Sequence, residues 1–446
     1  MVRFSLILVI GVAGWLALPP RQAWSQQPVG EKPVPSNILD QEKPQAGAQA
    51  PKAAELEPQE LHALIVGPAI PRLEPAELAG LAPGAKPVVL TLQQAFALAL
   101  IRARTPAADR KARSEPFDPK TLDERARRVG ADNFDKFRQE FIAQEFRDPA
   151  LQFFEVLKHR QEVDSARDQA AMAANMRRLF DELLKSGLPA VSRLQVEQIN
   201  NYLLVSQQSL ALSLASYRSE VDDLKVFLGL PVSMPLVLDE RILVPFTTVY
   251  RATDQWQREP DRQLDRLTAM HDRLPRLENK KIGGRSLREV IEGTIPEEQF
   301  LAECTAAARP HSAILKDDQA ALDDRNIVEQ GIRTVARTLI VVHKAYEVDR
   351  AQLEIATRYL DLTFDQVVSP PAAGTSAVVQ SVSTANHVTN VIGAASRLYK
   401  ARSALVTQWF QVKEVELRLY RQLGTMPFDN WDAFYQSLVP VLGAPR

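Results

Sequence analysis

The stretch AVSRLQVEQINNYLLVSQQSLALSLASYRSEVDDLKVFLGLP (residues 190–231) decides the fold, because it contains no glycine before Gly229 and no proline before Pro231. Nothing in its backbone chemistry interrupts an α-helix until Gly229, which can end one. Some 40 residues at about 1.5 Å per residue make a rod about 60 Å long. A helix of that length extends beyond the core of one compact domain, so it needs a partner helix along most of its length.

Apolar and small residues in this stretch follow the alternating steps of three and four residues that define a helix–helix seam. The seam positions are Val196, Ile199, Leu203, Ser206, Leu210, Ser213 and Tyr217. Serine at two of these positions lets two helices approach closely, which suits a packed tube wall better than a dimer zipper. The pattern therefore predicts a long helix in a helical wall.

The second half of the chain repeats this organisation. EVDSA at residues 162–166 corresponds to EVDRA at 347–351, Gly187 to Gly374, and Leu-Gly at 228–229 to Leu-Gly at 423–424. One internal duplication explains these matches. The predicted fold class is mainly α, with two repeated long antiparallel helical hairpins of the coiled-coil tube type and tips near residues 187 and 374.

The N-terminus has the form of a secretory signal peptide. A charged start at Arg3 precedes an apolar run from Phe4 to Leu18, and Ser25 marks the cleavage point. An uncleaved membrane anchor is the alternative. Prolines then concentrate before residue 90, which predicts an extended, disordered leader.

The chain therefore divides into six predicted segments. They are a signal peptide (1–25), a Pro-rich leader (26–88), a first helical repeat (89–240), a connector with short helices (241–310), a second helical repeat (311–430) and a C-terminal tail (431–446). Thr91 and Gln94 form a capping-box pattern at the start of the helix in the first repeat. After the signal, no stretch approaches the roughly 18 consecutive apolar residues of a spanning helix.

Charge and cysteine content exclude some classes of function. There are 54 Lys and Arg against 55 Asp and Glu, with a net charge of -1, so no basic field attracts nucleic acid. Cys304 is the only cysteine, which excludes an intramolecular disulfide and favours a buried structural thiol.

Three features together resemble the TolC-type outer-membrane efflux channel family. They are the Leu-Thr-Leu-x-x-Ala-x-x-x-Ala-Leu helix at residues 90–100, the two long hairpins with glycine at the tip, and the Leu-Gly end of each repeat with a proline shortly after it. The resemblance covers residues 90–106, 150–240 and 335–430. The chain is expected to be a divergent member.

The resemblance implies a passive conduit for small molecules. It implies a homotrimer in the cell outer membrane, with a helical part in the periplasm whose hairpin tips dock a periplasmic adaptor of an inner-membrane pump. The tip residues implied by position are Gly187, Leu188, Ser192, Arg193, Gly374 and Thr375. Arg193 stands where the family usually has an acidic residue, and the tip glycines can also be read as helix ends without a partner.

The sequence departs from the family in its strands. The family places β-barrel strands ahead of each long helix pair, whereas this chain has few or no recognisable ones, and only Ile242 to Tyr250 is suggestive. The alternative prediction is therefore a barrel-less coiled-coil scaffold or partner-binding protein in the periplasm.

Enzyme chemistry has little support, and no cofactor is predicted. His159 with Glu162, and His343 with Glu347, are helical neighbours at related points of the two repeats. They favour ion pairing on a polar helix face, and a divergent metal site is the competing hypothesis. Among the aromatic residues, Trp409 and Phe410 are predicted to lie in the core, and Trp256 and Trp431 are candidates for a membrane interface.

Overall fold

The computed structural model describes residues 73–81, 86–92, 94–95, 98–99, 149–185, 192–259, 261–277, 281–282, 284–308, 319–368 and 377–423. Within these ranges the protein is mainly helical with few strands, which confirms the predicted class at that level. The signal peptide, the tail with Trp431, and the tip residues Gly187, Leu188, Gly374 and Thr375 lie outside them.

Four long helices dominate the order of elements. The order is α1 (Pro75–Leu78), β1 (Val88–Leu90), α2 (Pro149–Lys185), α3 (Arg193–Leu228), β2 (Leu236–Leu238), a 3-10 turn (Glu240–Leu243), α4 (Val244–Trp256), α5 (Leu264–His271), β3 (Lys281–Ile282), β4 (Arg285–Ser286), α6 (Leu287–Ile291), α7 (Glu297–Ala307), α8 (Gln319–Val368) and α9 (Ala377–Leu423).

Helix α3 is the predicted long helix, and its ends follow from its sequence. Ser192 Oγ accepts a hydrogen bond from the Gln195 amide, and the Gln195 side chain accepts one from the Ser192 amide, so a capping box begins the helix. Gly229, at φ 75°, ends it in the left-handed conformation. The predicted seam is confirmed where Ile199, Leu203, Ser206 and Tyr217 are buried.

The long helices pack as a layer mainly in the order α3, α2, α9, α8, and α9 also contacts α3. Between α2 and α3, His159 lies 3.9 Å from Glu220. Between α2 and α9, the rings of Phe154 and Phe410 are 5.2 Å apart. Between α9 and α8, Gln408 donates a hydrogen bond of 3.2 Å to the Val342 carbonyl. Helices α3 and α8 therefore form the two edges of the layer.

The apolar core lies within this layer and beneath the short elements. Trp409 and Phe410 are 1% and 0% exposed, which confirms their predicted core position. Cys304 on α7 is also buried, as predicted, and burial raises the pKa of its thiol to about 12. No helix in the described ranges has an 18-residue window apolar enough to cross a membrane.

Most of the short elements lie between α3 and α8 in the sequence. Strands β1 and β2 are parallel, with Val88 opposite Leu236 and Leu90 opposite Leu238. Thr91 and Gln94 exchange the two hydrogen bonds of the predicted capping box, at 3.2 and 3.0 Å. Helices α5, α6 and α7 pack against α8.

Two predictions about the connector are wrong. The stretch from Ile242 to Tyr250, which suggests a strand, is instead the end of the 3-10 turn and the start of α4. Pro245 favours the first turn of a helix, and Phe246, Val249 and Tyr250 are buried at helical spacing. Trp256 is 0% exposed because it ends the same buried face, so it is no membrane-interface residue.

The described end of the Pro-rich leader packs on the body of the protein. Leu78 is 2% exposed, and Arg218 of α3 donates hydrogen bonds to the carbonyls of Glu77 and Leu78 at 2.9 and 3.2 Å. The leader prediction extends to residue 88, and residues 73–81 differ from it. The sequence does not predict this docking, because the prolines of the segment favour an extended chain and the partner, Arg218, lies some 140 residues further along.

Candidate interaction surface

Two of the six predicted tip residues lie in the described ranges. Ser192 is exposed and caps α3, so its hydroxyl has a structural role in starting the helix. Arg193 follows as the first helical residue and is also exposed. Their exposure leaves this end of α3 accessible to another molecule.

The outer face of α3 is free of charge over a long distance. Residues 198–217 contain no Asp, Glu, Lys or Arg, although 24% of the whole chain is charged. Val205 and Leu212 are 54% and 62% exposed within this range. Val226, two heptads after Leu212 and beyond the uncharged range, is 55% exposed, and Ser219 occupies the heptad position between them. An exposed helix face that lacks charge and carries repeated apolar residues is typical of the buried centre of an interface.

Helix α8 presents a second exposed apolar stripe at the opposite edge of the layer. Its members are Val341, Val348, Ile355 and Leu362, which are 64%, 53%, 65% and 61% exposed. They recur every seven residues, so they stand in one line along the helix. This line faces away from the buried residues Leu339, Tyr346 and Leu353, which pack toward the interior.

The α3 and α8 stripes lie at the same level of the layer. Near one end, the Tyr202 hydroxyl is 3.4 Å from Ser396 Oγ, and the adjacent Arg397 lies over the Tyr359 ring at 5.2 Å. Near the other end, Glu220 of α3 contacts α2, α2 contacts α9 through the Phe154 and Phe410 rings, and α9 contacts Val342 of α8. Both stripes cover three heptads, which is about 32 Å.

Sequence reasoning found the inner seam of α3 and missed both outer stripes. The signal is nevertheless present in the sequence, because 20 uncharged residues are unusual in such a charged chain. The stripe on α8 is harder to find, since the sequence does not show which face of that helix packs inward.

Helix α2 carries an ionic cluster inside the layer. Arg160 is 1% exposed and lies 2.6 Å from Asp164 and 2.5 Å from Glu240. Burial acts to lower the pKa of Arg160, but the two carboxylates outweigh it and raise this pKa above its usual value. The guanidinium therefore remains charged and joins α2 to the turn after β2.

The contacts of His159 and His343 do not form the metal site that the competing hypothesis requires. His159 Nδ1 lies 3.1 Å from Glu162, and this contact raises the pKa of His159 most strongly. His343 lies instead 3.7 Å from Glu416 of α9, whereas Glu347 pairs with Arg350. The predicted pairing of His343 with Glu347 is wrong because His343 points inward. No group of three metal-ligating side chains occurs in the part of the chain that the structure describes.

No protein-family model and no curated protein match the chain. Its own residues are therefore the basis on which a function is proposed. The arrangement offers two helix surfaces with exposed apolar stripes at the two edges of one layer, of which the α3 surface is uncharged over residues 198–217. Such surfaces support association between helices.

Proposed function

We propose that the chain is one subunit of a homotrimeric helical tube of the TolC-type outer-membrane efflux channel kind. Small molecules pass through this tube passively, and no step is catalytic. A periplasmic adaptor, which connects the tube to an inner-membrane pump, docks at the tips around residues 187–193 and 374–375.

One observation carries the proposal: the two edge helices of the layer have exposed apolar stripes of the same length and at the same level, with their members at heptad positions. The stripe on α3 and the stripe on α8 belong to different helices, so pairing them joins unlike surfaces of two copies. Such a head-to-tail contact leaves the same two surfaces free at the ends and closes into a ring when the rotation permits. A closed ring of these layers has the form of a tube.

The predicted hairpins agree with the order of contacts. Residues 159 and 173 of α2 lie near residues 220 and 202 of α3, so the contacts run in opposite directions along the two helices. In the second pair, Gly331 lies beside Gln422, and Val342 is bonded to Gln408. Short links over residues 186–192 and 369–376 favour antiparallel neighbours.

Energetics support a partner that covers the whole face. Burying seven apolar side chains that now expose half or more of their surface contributes on the order of 7–10 kcal/mol. Association itself costs about 4–15 kcal/mol. The stripes alone are therefore marginal, and the uncharged glutamine, serine and alanine side chains around the α3 stripe must also pack.

Fractionation of the expressed, processed protein tests the proposal. We expect it to remain in the outer membrane through a carbonate wash, to come out in detergent with the mass of a trimer, and to conduct ions in a planar bilayer. Release by the wash as a helical oligomer without conductance would contradict the channel. It would favour the alternative, a periplasmic scaffold that binds partners.

The tip region gives a second test. Leu188→Trp should abolish survival of the producing cells on a panel of small toxic molecules, because a bulky side chain blocks adaptor docking at the tip. Val232→Trp is the matched control, since Val232 is 50% exposed and follows the opposite end of α3. Amount and assembly mass should stay unchanged in both variants. Unaltered survival with Leu188→Trp would remove the tip from the proposal.

A further inference from the structure

A polar cavity of about 160 Å³ lies between α2, α4 and α9, and none of the predictions above uses it. Its lining includes Gln161 and Asp168 from α2, Gln257 and Arg258 from the end of α4, and Arg402 from α9. Three different helices thus direct charged or amide side chains toward one small space. The cavity does not belong to either edge stripe.

Several buried donors in this cavity lack a partner in the described part of the chain. Gln257 is 2% exposed, and its Nε2 has no hydrogen-bond acceptor. Arg402 is also 2% exposed and uses its two terminal nitrogens on Asp254, at 2.5 and 3.4 Å, which leaves Nε without an acceptor. Arg258 Nε is likewise a buried donor without an acceptor. One buried acceptor of the lining, Gln161 Oε1, also lacks a donor, but the unpartnered donors outnumber it, so the site favours a ligand rich in acceptors.

The charge balance of the lining points the same way. Asp254 is engaged by Arg402, and Asp164 is engaged by Arg160. Arg167, Arg251 and Arg258 line the cavity and form no ion pair within the described residues. The remaining acid is Asp168, and its negative charge is reduced as well. Burial, with Asp254 next, raises the pKa of Asp168 to about 7.

Size limits the ligand. A water molecule occupies about 30 Å³ of liquid, so this cavity holds roughly five non-hydrogen atoms or a little more. Guanidinium groups bind carboxylates and phosphates by paired hydrogen bonds. A small oxyanion matches both the volume and the surplus of donors.

We propose that the cavity between α2, α4 and α9 binds a small oxyanion through Arg258, Gln257 and Arg402. The oxygens of the anion accept hydrogen bonds from these three side chains, and Arg167 and Arg251 supply further positive charge. This site is independent of the tube, because every group in it comes from one chain.

Calorimetric titration of the full-length protein tests this site. Oxalate and inorganic phosphate serve as separate probes at pH 6.5, with the ionic strength held constant by sodium chloride. We expect saturable binding of at least one probe with one site per chain. Which probe binds distinguishes a carboxylate site from a phosphate site.

Variants locate the binding. Arg258→Gln and Gln257→Leu should each weaken binding at least tenfold, because each removes a donor that the anion needs. Arg241→Gln is the control and should bind normally, since Arg241 is exposed, pairs with Asp239 and does not line the cavity. Absence of saturable binding of both probes would show a cavity that holds only water. The proposal would also be overturned if Arg258→Gln and Gln257→Leu bound the probe as tightly as the unchanged protein does.

Asp168 supplies a second readout with oxalate, which is fully ionised above about pH 6. Affinity of the unchanged protein should fall several-fold from pH 6 to pH 8 as Asp168 ionises. The other charged groups facing it are Asp164 and Arg167 on α2, Asp254 on α4 and Arg402 on α9. In Asp168→Asn, affinity should stay constant over this range and exceed the original at pH 8. The same fall in the variant would contradict the assignment.

Discussion

At the scale of single residues, the layer depends on charges held inside it. Arg160 is nearly inaccessible yet contacts two carboxylates, so its charge is compensated on both sides. Removing one member of a buried ion pair leaves the other uncompensated, which typically costs more than the pair contributes. Exposed pairs of the same type contribute little.

Arg160→Met should therefore lower the free energy of unfolding by about 3–5 kcal/mol, because Asp164 and Glu240 lose their counterion. Arg241→Met is the matched control, because the Arg241 side chain is 65% exposed in its pair with Asp239. It should cost less than about 1 kcal/mol. Urea denaturation of both variants measures the difference. Equal losses would mean that the buried pair has no special role.

His271 gives the protein a dependence on pH. Its ring nitrogens have no hydrogen-bond partner in the described ranges, and burial, helped by Arg402, lowers the pKa of His271 to about 4. The unfolded chain binds a proton near pH 6.5, whereas the folded protein does not until about pH 4. Stability is therefore lost as the pH falls from 6.5 toward 4.

His271→Leu should remove that loss. We expect the Tm of this variant to exceed the original by a margin that grows between pH 7 and pH 5. His159→Leu is the control of opposite sign, because the pKa of His159 is raised by Glu162 and its protonation stabilises the fold. Its deficit should grow as the pH falls through the same range. Parallel Tm curves for His271→Leu and the original protein would contradict the account.

At the scale of elements, the C-terminal end and inner face of α3 are predicted, because a terminal glycine and a heptad seam are local signals. The capping box of Ser192 and Gln195 is not among the predictions, and the helix begins at Arg193. The surroundings of α2 could not be predicted. The sequence indicates one apolar side for this helix, yet α3 and α9 cover it on two sides. Arg160 and Asp168 are consequently enclosed by residues 80 or more positions away. The hydrophobic periodicity of α2 does not predict contacts with residues so far away in the sequence.

Replacing Gly229, which ends α3, and Gly393, which lies inside α9, with alanine should change the free energy of unfolding in opposite directions. Gly229 has φ 75°, where a Cβ is strained, so Gly229→Ala should lower the free energy of unfolding by about 1 kcal/mol. Gly393 lies inside α9, and a Cβ there would contact nothing within 4 Å. Gly393→Ala should raise stability by about 0.5–1 kcal/mol. Urea denaturation measures both, and the same sign for both would contradict these helix assignments.

At the scale of the whole molecule, the layer has two unlike edges. The sequence predicts that a long helix requires a partner, but it does not show that α2 and α9 meet in the middle and leave α3 and α8 outside. That order arises from contacts between α2 and α9, which lie more than 190 positions apart in the sequence. It places one exposed apolar stripe at each edge, so the proposed tube follows from arrangement more than from any motif.

Site-specific cross-linking tests this arrangement most directly. In a Cys304→Ala background, Val205→Cys on α3 and Ile355→Cys on α8 place thiols at one level of the two stripes. We expect a short bismaleimide to convert the double variant to covalent dimers and trimers, while each single variant stays monomeric. The pair Val226→Cys with Leu362→Cys, from opposite ends of the stripes, should also stay monomeric.

Cross-linking of a single variant to itself would show a two-fold contact between like surfaces. A double variant that remains monomeric would show that the two edges do not meet. Either result would contradict the head-to-tail tube, and trimers from Val205→Cys with Ile355→Cys alone would support it.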